Sequence, residues 1–237
     1  MGEWVVIAVD QDVCWASSET SVDFRGRELI LRPPDGERYG DISLERVAGE
    51  SYEEGATLIR RFLSVQSWLH EQPFPEAGES GGTHRIRLGG RLPTGRKIFP
   101  GLRFDDLPTR PSPTQELALA LYRHALGLGR HSMYQFFAFF RILNITLRDS
   151  STQKAWINAG LSALTFGRDR ASEILKTEPD VGEYLYKSGR SALAHAYDEP
   201  LVDPDRFVDT RRINQDLHLL RQLVELYMER DLGLPRR

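Results

Sequence analysis

The chain has 237 residues, of which 40% are hydrophobic and 10% aromatic, and its formal net charge is -3. This is enough apolar material for an ordinary core, which excludes wholesale disorder, and the length allows one large domain or two small ones. The small net charge excludes the strongly basic class of nucleic-acid-binding proteins. The single cysteine, Cys14, excludes an internal disulfide and is expected to act as a small hydrophobic side chain.

The sequence predicts a cytoplasmic protein without membrane spans, metals or cofactors. Its longest apolar stretches are far shorter than the roughly 18 residues that a membrane-spanning helix requires. Acidic Glu3 and Asp10 stand where a secretory leader would carry basic residues. Histidine or cysteine clusters with metal-ligand spacing are absent, as are the glycine-rich nucleotide loops and the common hydrolase motifs.

Residues 1–110 have the pattern of a small α+β domain. Four segments have the length and alternation of strands. They are Trp4–Val9, Val22–Arg32, Ile42–Val47 and His84–Leu88. Ser51 and Glu54 form the Ser-x-x-Glu pattern that begins a helix, predicted over about 52–71. In the last strand-like segment, Arg85 and Arg87 fit the solvated face of an edge strand as well as they fit contacts with RNA.

Residues 111–237 are predicted to be an all-α bundle. The domain boundary is placed near 105–112, because Pro93–Pro113 is rich in proline and has no sustained period. Each predicted helix has a capping residue or proline at its start, a glycine at its end, or an apolar stripe. The helices are predicted over 113–126, 132–144, 151–166, 168–176, 181–196 and 210–232, with Ser112, Ser132, Ser150 or Ser151, and Asp180 as caps. The phenylalanines between Phe136 and Phe140 mark the second as the buried central helix.

One segment, Tyr184–Ala196, combines arginine and histidine in a pattern that is a candidate for a catalytic site. Arg190 and His195 are five residues apart, although chance alone gives about 0.7 such pairs at a fixed offset in this composition. The small residues around Arg190 favour this pair, since Gly189 costs about 1 kcal/mol inside a helix and indicates a close approach by another helix or a substrate backbone. Competing pairs formed by Arg211 or Arg212 with His218 are interpreted as surface residues of an amphipathic helix.

The second half of the chain resembles the MauJ-type proteins of methylamine utilization loci, which are similar to the HEPN superfamily of small helical domains. The resemblance rests on the helix order after residue 112, the phenylalanine-rich helix, Tyr184–Ala196, and Val202–Asp205 before the last helix. It implies an HEPN-like helical bundle that dimerises so that Arg-His pairs from two chains line one cleft. It also implies metal-independent RNA cleavage in active members. Those members usually carry Asn, Asp or His after the arginine, where this chain has Ser191.

The resemblance assigns catalysis to Arg190 and His195, and Ser191 and Lys187 beside them are expected to bind the substrate. A histidine with a pKa of about 6.5 can move the proton, and an arginine can hold the phosphate. On an α-helix Lys187, Ser191 and His195 share a face that Arg190 does not, so a second chain is expected to complete the site. The expected partners are therefore RNA and a second copy of the chain.

Each candidate also has a structural interpretation. Arg190 could pair with Asp198 or Glu199, and His195 could satisfy carbonyls at a helix end. Three tyrosines of the region are expected to pack with their hydroxyls in water. They are Tyr184, Tyr186 and Tyr197. For the whole protein, the second hypothesis is a non-catalytic dimeric module that binds RNA, a nucleotide or a protein partner, and the N-terminal domain is expected to select that substrate or partner.

Overall fold

The chain divides into two compact units, Met1–Pro111 and Ser112–Arg237. The computed structural model describes residues 2–10, 13–89, 111–129, 131–195 and 200–235. The described part of the first unit contains an antiparallel sheet with a helix, and that of the second is helical. The predicted fold class, an α+β region followed by an all-α region, is confirmed. Most of the proline-rich stretch that motivated the predicted boundary lies outside the described residues.

The first unit is built around the strand that the sequence marks most clearly. The strands are β1 (Glu3–Val9), β2 (Thr20–Phe24), β3 (Arg27–Arg32), β4 (Gly40–Arg46) and β5 (Glu76–Gly82). They form one antiparallel sheet in the order β2-β3-β4-β1-β5. In β1 the residues from Val5 to Val9 are buried on both faces of the sheet, which is why this strand is a continuous apolar run. Its register places Val5 opposite Leu44 of β4 and Gly81 of β5.

Two of the predicted strands are wrong. The segment Val22–Arg32 is a hairpin of two strands, because Arg25 and Gly26 both adopt positive φ angles, of 61° and 75°, and turn the chain. Arginine is not a typical residue for such a turn, so the turn could not be recognised from its residues. The segment His84–Leu88 forms no strand. The glycine-rich β5 lies at the sheet edge beside β1, where backbone hydrogen bonds hold it without a contribution from apolar side chains.

Helix α1 (Tyr52–His70) begins at the predicted capping box. The Ser51 hydroxyl accepts a hydrogen bond from the Glu54 backbone N–H at 3.1 Å, and the Glu54 carboxylate accepts one from the Ser51 N–H at 2.8 Å. The helix packs against β1 and β4. Its buried Phe62 meets the ring of Phe24 edge to face at 5.5 Å, which joins the helix to the hairpin.

Arg85 and Arg87 do not form the solvated face of an edge strand, and that interpretation is wrong. The Arg87 guanidinium lies 3.4 Å from the carboxylate of Asp41, which is fully buried, and donates to the Tyr39 carbonyl at 3.1 Å. Arg32 pairs with the same carboxylate at 2.7 Å. These side chains therefore satisfy groups of their own unit, since a buried carboxylate needs cationic partners.

The second unit is a helical bundle with α3 at its centre. Its elements are α2 (Pro113–Gly127), α3 (Ser132–Leu143), α4 (Ser150–Gly160), a 3₁₀ turn (Leu161–Ala163), α5 (Arg168–Ile174), α6 (Val181–Tyr184), a π-helix (Leu185–Ser191), α7 (Ala192–Ala194) and α8 (Phe207–Arg230). Helix α3 packs against both α2 and α8. Phe136, Phe139 and Phe140 are buried, which confirms the prediction of a central core helix.

Local side-chain capping explains where α2, α4 and α6 begin. The predicted capping box between Ser112 and Gln115 is present at the start of α2. Helix α3 instead starts after His131 without a side-chain cap, and the N-cap of α4 is Asp149, which accepts from the Thr152 N–H at 2.8 Å. The carboxylate of Asp149 is as good a cap as the serines predicted for α4, and it comes first along the chain.

Two helix ends differ from prediction. Helix α4 ends near Gly160 and not at Phe166, because the buried Leu164 takes an extended conformation to reach the core. The predicted helix over 181–196 is divided into α6, the π-helix and α7.

Within the described ranges, no helix combines the length and the apolar composition that crossing a bilayer demands.

Candidate functional site

The segment that carries the candidate residues begins at a well-defined N-cap. The Asp180 carboxylate accepts from the Glu183 backbone N–H at 2.7 Å and from the Asn158 side-chain amide at 2.7 Å. These hydrogen bonds lower the pKa of Asp180 below its usual value. Gly182 allows α6 to approach α4 closely, since a Cβ atom there would lie 2.9 Å from the Lys154 carbonyl carbon. The start of the segment is therefore anchored on α4.

The candidate segment then widens into the π-helix. The Ala192 N–H donates to the carbonyl of Lys187, five residues earlier. Gly189 is buried, and a Cβ atom there would lie 2.5 Å from Cε1 of Phe136, which α3 presents to it. The smallness of this position, predicted to admit another helix or a substrate, is thus explained by packing within the unit. A π-helical turn is rare and occurs frequently at functional sites.

Arg190 lies on this π-helix with its guanidinium against Tyr186. Its Nη1 donates to the Tyr186 hydroxyl at 3.3 Å, and its Cζ lies 5.2 Å from the centre of the tyrosine ring. Among the residues that the structure describes, no carboxylate lies within ion-pair distance of Arg190. Asp198 and Glu199, which the structural interpretation of Arg190 invokes, lie outside the described residues. The described environment therefore supports the guanidinium on an aromatic ring without neutralising it.

Tyr186 is a packing residue whose ring contacts two cationic side chains. Its ring meets the buried ring of Phe140 edge to face at 6.0 Å, which fits the predicted packing role. Lys154 also contacts this ring, with Nζ 5.3 Å from its centre, and pairs with the Glu183 carboxylate at 2.6 Å. Two cations thus share one tyrosine, and Arg190 is the one without an acidic partner among the described contacts.

The other three candidates lie on either side of Arg190 along the chain, Lys187 before it and Ser191 and His195 after it. Lys187 is exposed, Ser191 is half-buried, and His195 is a half-buried residue directly after the end of α7. The His195 backbone N–H donates to the Ser191 carbonyl at 2.9 Å. Direct contact between the side chains of Arg190 and His195 is not among the interactions of the described residues. The prediction that Lys187, Ser191 and His195 share one face assumed about 3.6 residues per turn. That assumption does not hold here, because residues 185–191 form a π-helix and α7 ends before His195.

A second polar cluster, which the sequence analysis missed, lies behind the π-helix. Its centre is the carboxylate of Asp216 on α8, which is 1% exposed. Arg170 donates to it at 2.8 Å and the Tyr184 hydroxyl at 3.0 Å. Burial raises the pKa of Asp216, and the hydrogen bond from Arg170 acts against that shift. The available signal was a carboxylate within the apolar stripe of α8, between Ile213 and Leu217.

Arg212 connects this cluster to the π-helix. Its Nη1 donates to the Ser188 carbonyl at 2.8 Å and lies 3.7 Å from the Asp216 carboxylate. Arg212 is half-buried, so its interpretation as a surface residue is wrong, whereas Arg211 and His218 are exposed as predicted. The difference arises because Arg212 faces the wide turn, where a carbonyl can accept from a side chain.

These elements all fall within a stretch that is similar to one known family. Residues 118–229 match the model of the family described as methylamine utilization protein MauJ. The resemblance of the C-terminal half to MauJ-type proteins is confirmed. The matched stretch contains α3 to α7, the π-helix and nearly all of α8, and therefore both polar clusters. No curated protein and no solved structure gives a significant match to the chain.

Proposed function

We propose that the C-terminal unit is an HEPN-like endoribonuclease domain that binds and cleaves RNA without a metal ion, across the cleft of a homodimer. The observation that carries this proposal is the state of Arg190. Its guanidinium rests on the ring of Tyr186, and no acidic side chain pairs with it among the described residues. A half-buried arginine in that setting suits a phosphate group, because its planar fork can donate two parallel hydrogen bonds to phosphate oxygens.

The chemistry requires a proton acceptor and a proton donor beside the phosphate. The RNA 2′-hydroxyl oxygen attacks the adjacent phosphorus, the bond to the 5′-oxygen breaks, and a 2′,3′-cyclic phosphate and a 5′-hydroxyl result. His195 moves a proton in this reaction, and Arg190 stabilises the charge that develops on the phosphate oxygens. One imidazole cannot accept the 2′-hydroxyl proton and protonate the leaving oxygen at once. The His195 side chains of two subunits would supply one group each, which is the reason for proposing a dimer.

The neighbouring side chains have supporting roles in this proposal. Lys187 is exposed one turn before Arg190 and would attract the RNA backbone, and the hydroxyl of Ser191 would donate to a phosphate oxygen. The N-terminal unit would select the RNA. The proposed binding surface is small and local, which is compatible with a protein whose net charge is -3.

The second candidate function is a non-catalytic dimeric module that binds RNA, a nucleotide or a protein partner. The observation that favours it is the position of His195, which lies directly past the end of α7, whereas the described side-chain contacts of Arg190 are with Tyr186. Ser191 also stands where active members usually carry Asn, Asp or His after the arginine. Both hypotheses give Arg190 a ligand, and they differ in whether His195 takes part in a reaction.

The deciding experiment incubates the purified protein with total RNA in EDTA and compares matched variants. We expect cleavage by the wild type and a loss of about 10²–10⁴-fold in rate in His195→Ala, the usual value of a proton-transferring group. Arg190→Ala should lose both binding and cleavage. Arg211→Ala and His218→Ala, which remove exposed residues of the same types, should retain the wild-type rate.

The outcomes separate the two hypotheses. RNA binding that depends on Arg190, without cleavage, would support the binding module. If wild type cleaves only with added magnesium, or if Arg190→Ala and His195→Ala match it, the catalytic proposal is refuted. Light scattering at micromolar concentration that shows a strict monomer would refute the dimeric site.

A further inference from the structure

The π-helix that carries Arg190 is tied to the core of the unit by one side chain of α8. Arg212 Nη1 donates to the Ser188 carbonyl at 2.8 Å, and Ser188 lies two residues before Arg190 on the π-helix. The same nitrogen lies 3.7 Å from Oδ2 of Asp216. Arg212 therefore joins the backbone of the candidate segment to a carboxylate that water does not reach.

The far end of this connection is buried and hydrogen-bonded. Asp216 is 1% exposed, and both of its carboxylate oxygens are held. Arg170 donates to Oδ1 at 2.8 Å, and the Tyr184 hydroxyl donates to Oδ2 at 3.0 Å. Tyr184 is the residue directly before the π-helix, so the cluster holds that helix at its beginning as well as at Ser188. A buried carboxylate with several hydrogen bonds is a fixed point because breaking any one bond leaves a desolvated charge.

The connection matters because a π-helical turn competes with the ordinary α-helical one. A return of residues 185–191 to α-helical hydrogen bonding would change the rotation of every later residue about the helix axis. Tyr186 and Arg190 are four residues apart and would remain neighbours on an α-helix, but the direction in which the Arg190 guanidinium faces relative to α3 and α8 would change. The bond from Arg212 holds the Ser188 carbonyl in the position that the wide turn gives it.

We infer that Arg212 is a positioning residue: through the Ser188 carbonyl and Asp216 it holds the π-helical turn that keeps Arg190 directed at its phosphate ligand. This inference rests on the proposed function for its consequence, RNA binding. Its structural content, a π-helix held by Arg212, can be tested on the protein alone.

The test compares three variants of the full chain. Arg212→Gln keeps an amide that can bond Asp216 four residues along α8, but its side chain is two bonds shorter and does not span the distance to Ser188. Arg212→Lys is one bond shorter and keeps a charged donor. Arg221→Gln is the matched control, because Arg221 forms the equivalent pair with Glu225 on α8, at 2.7 Å, and its other described hydrogen bond is to the Tyr122 hydroxyl of α2, at 3.3 Å.

Two measurements are made on each variant: backbone amide hydrogen exchange and the affinity for a labelled single-stranded RNA. In Arg212→Gln we expect exchange over 185–195 to rise about ten-fold and RNA affinity to fall by a similar factor, the equivalent of one hydrogen bond. Arg212→Lys should keep the exchange rate and the RNA affinity within about three-fold of wild type. Arg221→Gln should leave both within about two-fold of wild type, as expected for sites that do not share partners.

The results distinguish failure of this inference from failure of the proposed function. Unchanged exchange over 185–195 in Arg212→Gln, or an equal rise in Arg221→Gln, would overturn the positioning role. A rise that is specific to Arg212→Gln supports it, whether or not RNA binds. Absence of RNA binding by the wild type would refute the proposed function alone. Faster exchange in Arg212→Gln with undiminished RNA affinity would overturn the link between the π-helix and the ligand.

Discussion

A methyl group added at Gly189 tests how closely the π-helix packs against α3. The Cβ atom of Gly189→Ala would lie 2.5 Å from Cε1 of Phe136 and closer still to Cζ. Carbon atoms in contact are usually about 3.5–4.0 Å apart, so the two groups must separate by about 1 Å. Phe136 is fully buried and stacks on Phe140 at 6.2 Å, which prevents the ring from moving away freely.

The expected effect follows from two opposing contributions. Replacing glycine with alanine inside an open helix stabilises it by about 1 kcal/mol. Overpacking a core usually costs about 1–3 kcal/mol, and a required separation of about 1 Å against an immobile ring places this case in the upper part of that range. The free energy of unfolding of Gly189→Ala should therefore fall by about 1–2 kcal/mol, opposite in sign to the effect in an open helix.

Urea unfolding followed by circular dichroism at 222 nm measures this change, since the signal comes mainly from the helical unit. Gly160→Ala is the control, because its Cβ atom would lie 3.3 Å from the end of the flexible Leu223 side chain and should be accommodated. Adding Phe136→Leu to Gly189→Ala should make the combined loss smaller than the sum of the two single losses. A Gly189→Ala protein as stable as the wild type would refute the close packing.

Three further predictions address other parts of the molecule. Asp41→Ala leaves Arg32 buried without its ion-pair partner and should lower the free energy of unfolding by about 3–5 kcal/mol. The control Asp35→Ala, at an exposed position, should lower it by less than about 0.5 kcal/mol. Similar losses in both variants would show that the buried pair is unimportant. Asp180→Asn keeps the capping acceptor but not the ionisation. Hydrogen bonds lower the pKa of Asp180 in the folded state from its ordinary value of 3.8, so its ionisation stabilises the fold above that value, and this contribution is lost as the pH falls through the lowered pKa. Urea unfolding between pH 7 and pH 2 should therefore show a smaller loss of unfolding free energy in the variant than in the wild type. Parallel profiles of the two proteins would contradict the assignment. Tyr186→Leu removes the ring beneath the proposed phosphate-binding guanidinium and should weaken RNA binding, measured by fluorescence anisotropy, about two- to five-fold, the equivalent of about 0.5–1 kcal/mol. The control Tyr186→Phe keeps the ring and should bind RNA within about two-fold of wild type. Equal losses of affinity in the two variants would assign the effect to the hydroxyl.

The starts of several helices could be predicted because capping is local. Ser51 with Glu54, and Ser112 with Gln115, lie three residues apart and satisfy each other's backbone groups without help from the rest of the chain. The central position of α3 was equally clear, since a helix with so many phenylalanines must be buried. The same local rule failed at α4, where a carboxylate one residue earlier caps the helix instead.

Strand pairing was less predictable because the information is not in the strand itself. The edge strand β5 consists mainly of glycine and acidic residues, and it is a strand because β1 offers it backbone hydrogen bonds. Conversely, the alternating segment His84–Leu88 had the right pattern but forms no strand, and its carbonyl at Leu88 makes only an isolated backbone hydrogen bond, with Tyr39. A sheet edge depends on which segment reaches it.

The sequence by itself determined the α+β and all-α halves, the central helix and the MauJ-like segment that holds Arg190 and His195, since these depend on periodicity, capping and local residue pattern. Only the tertiary structure decided the form of that segment. Gly189 meets Phe136 and Ser188 meets Arg212, from helices far apart in sequence, and these contacts accompany a π-helix where periodicity predicted an α-helix. The physical reason is that local patterns specify which backbone conformations are favourable, whereas buried contacts between distant residues select among those that are close in free energy.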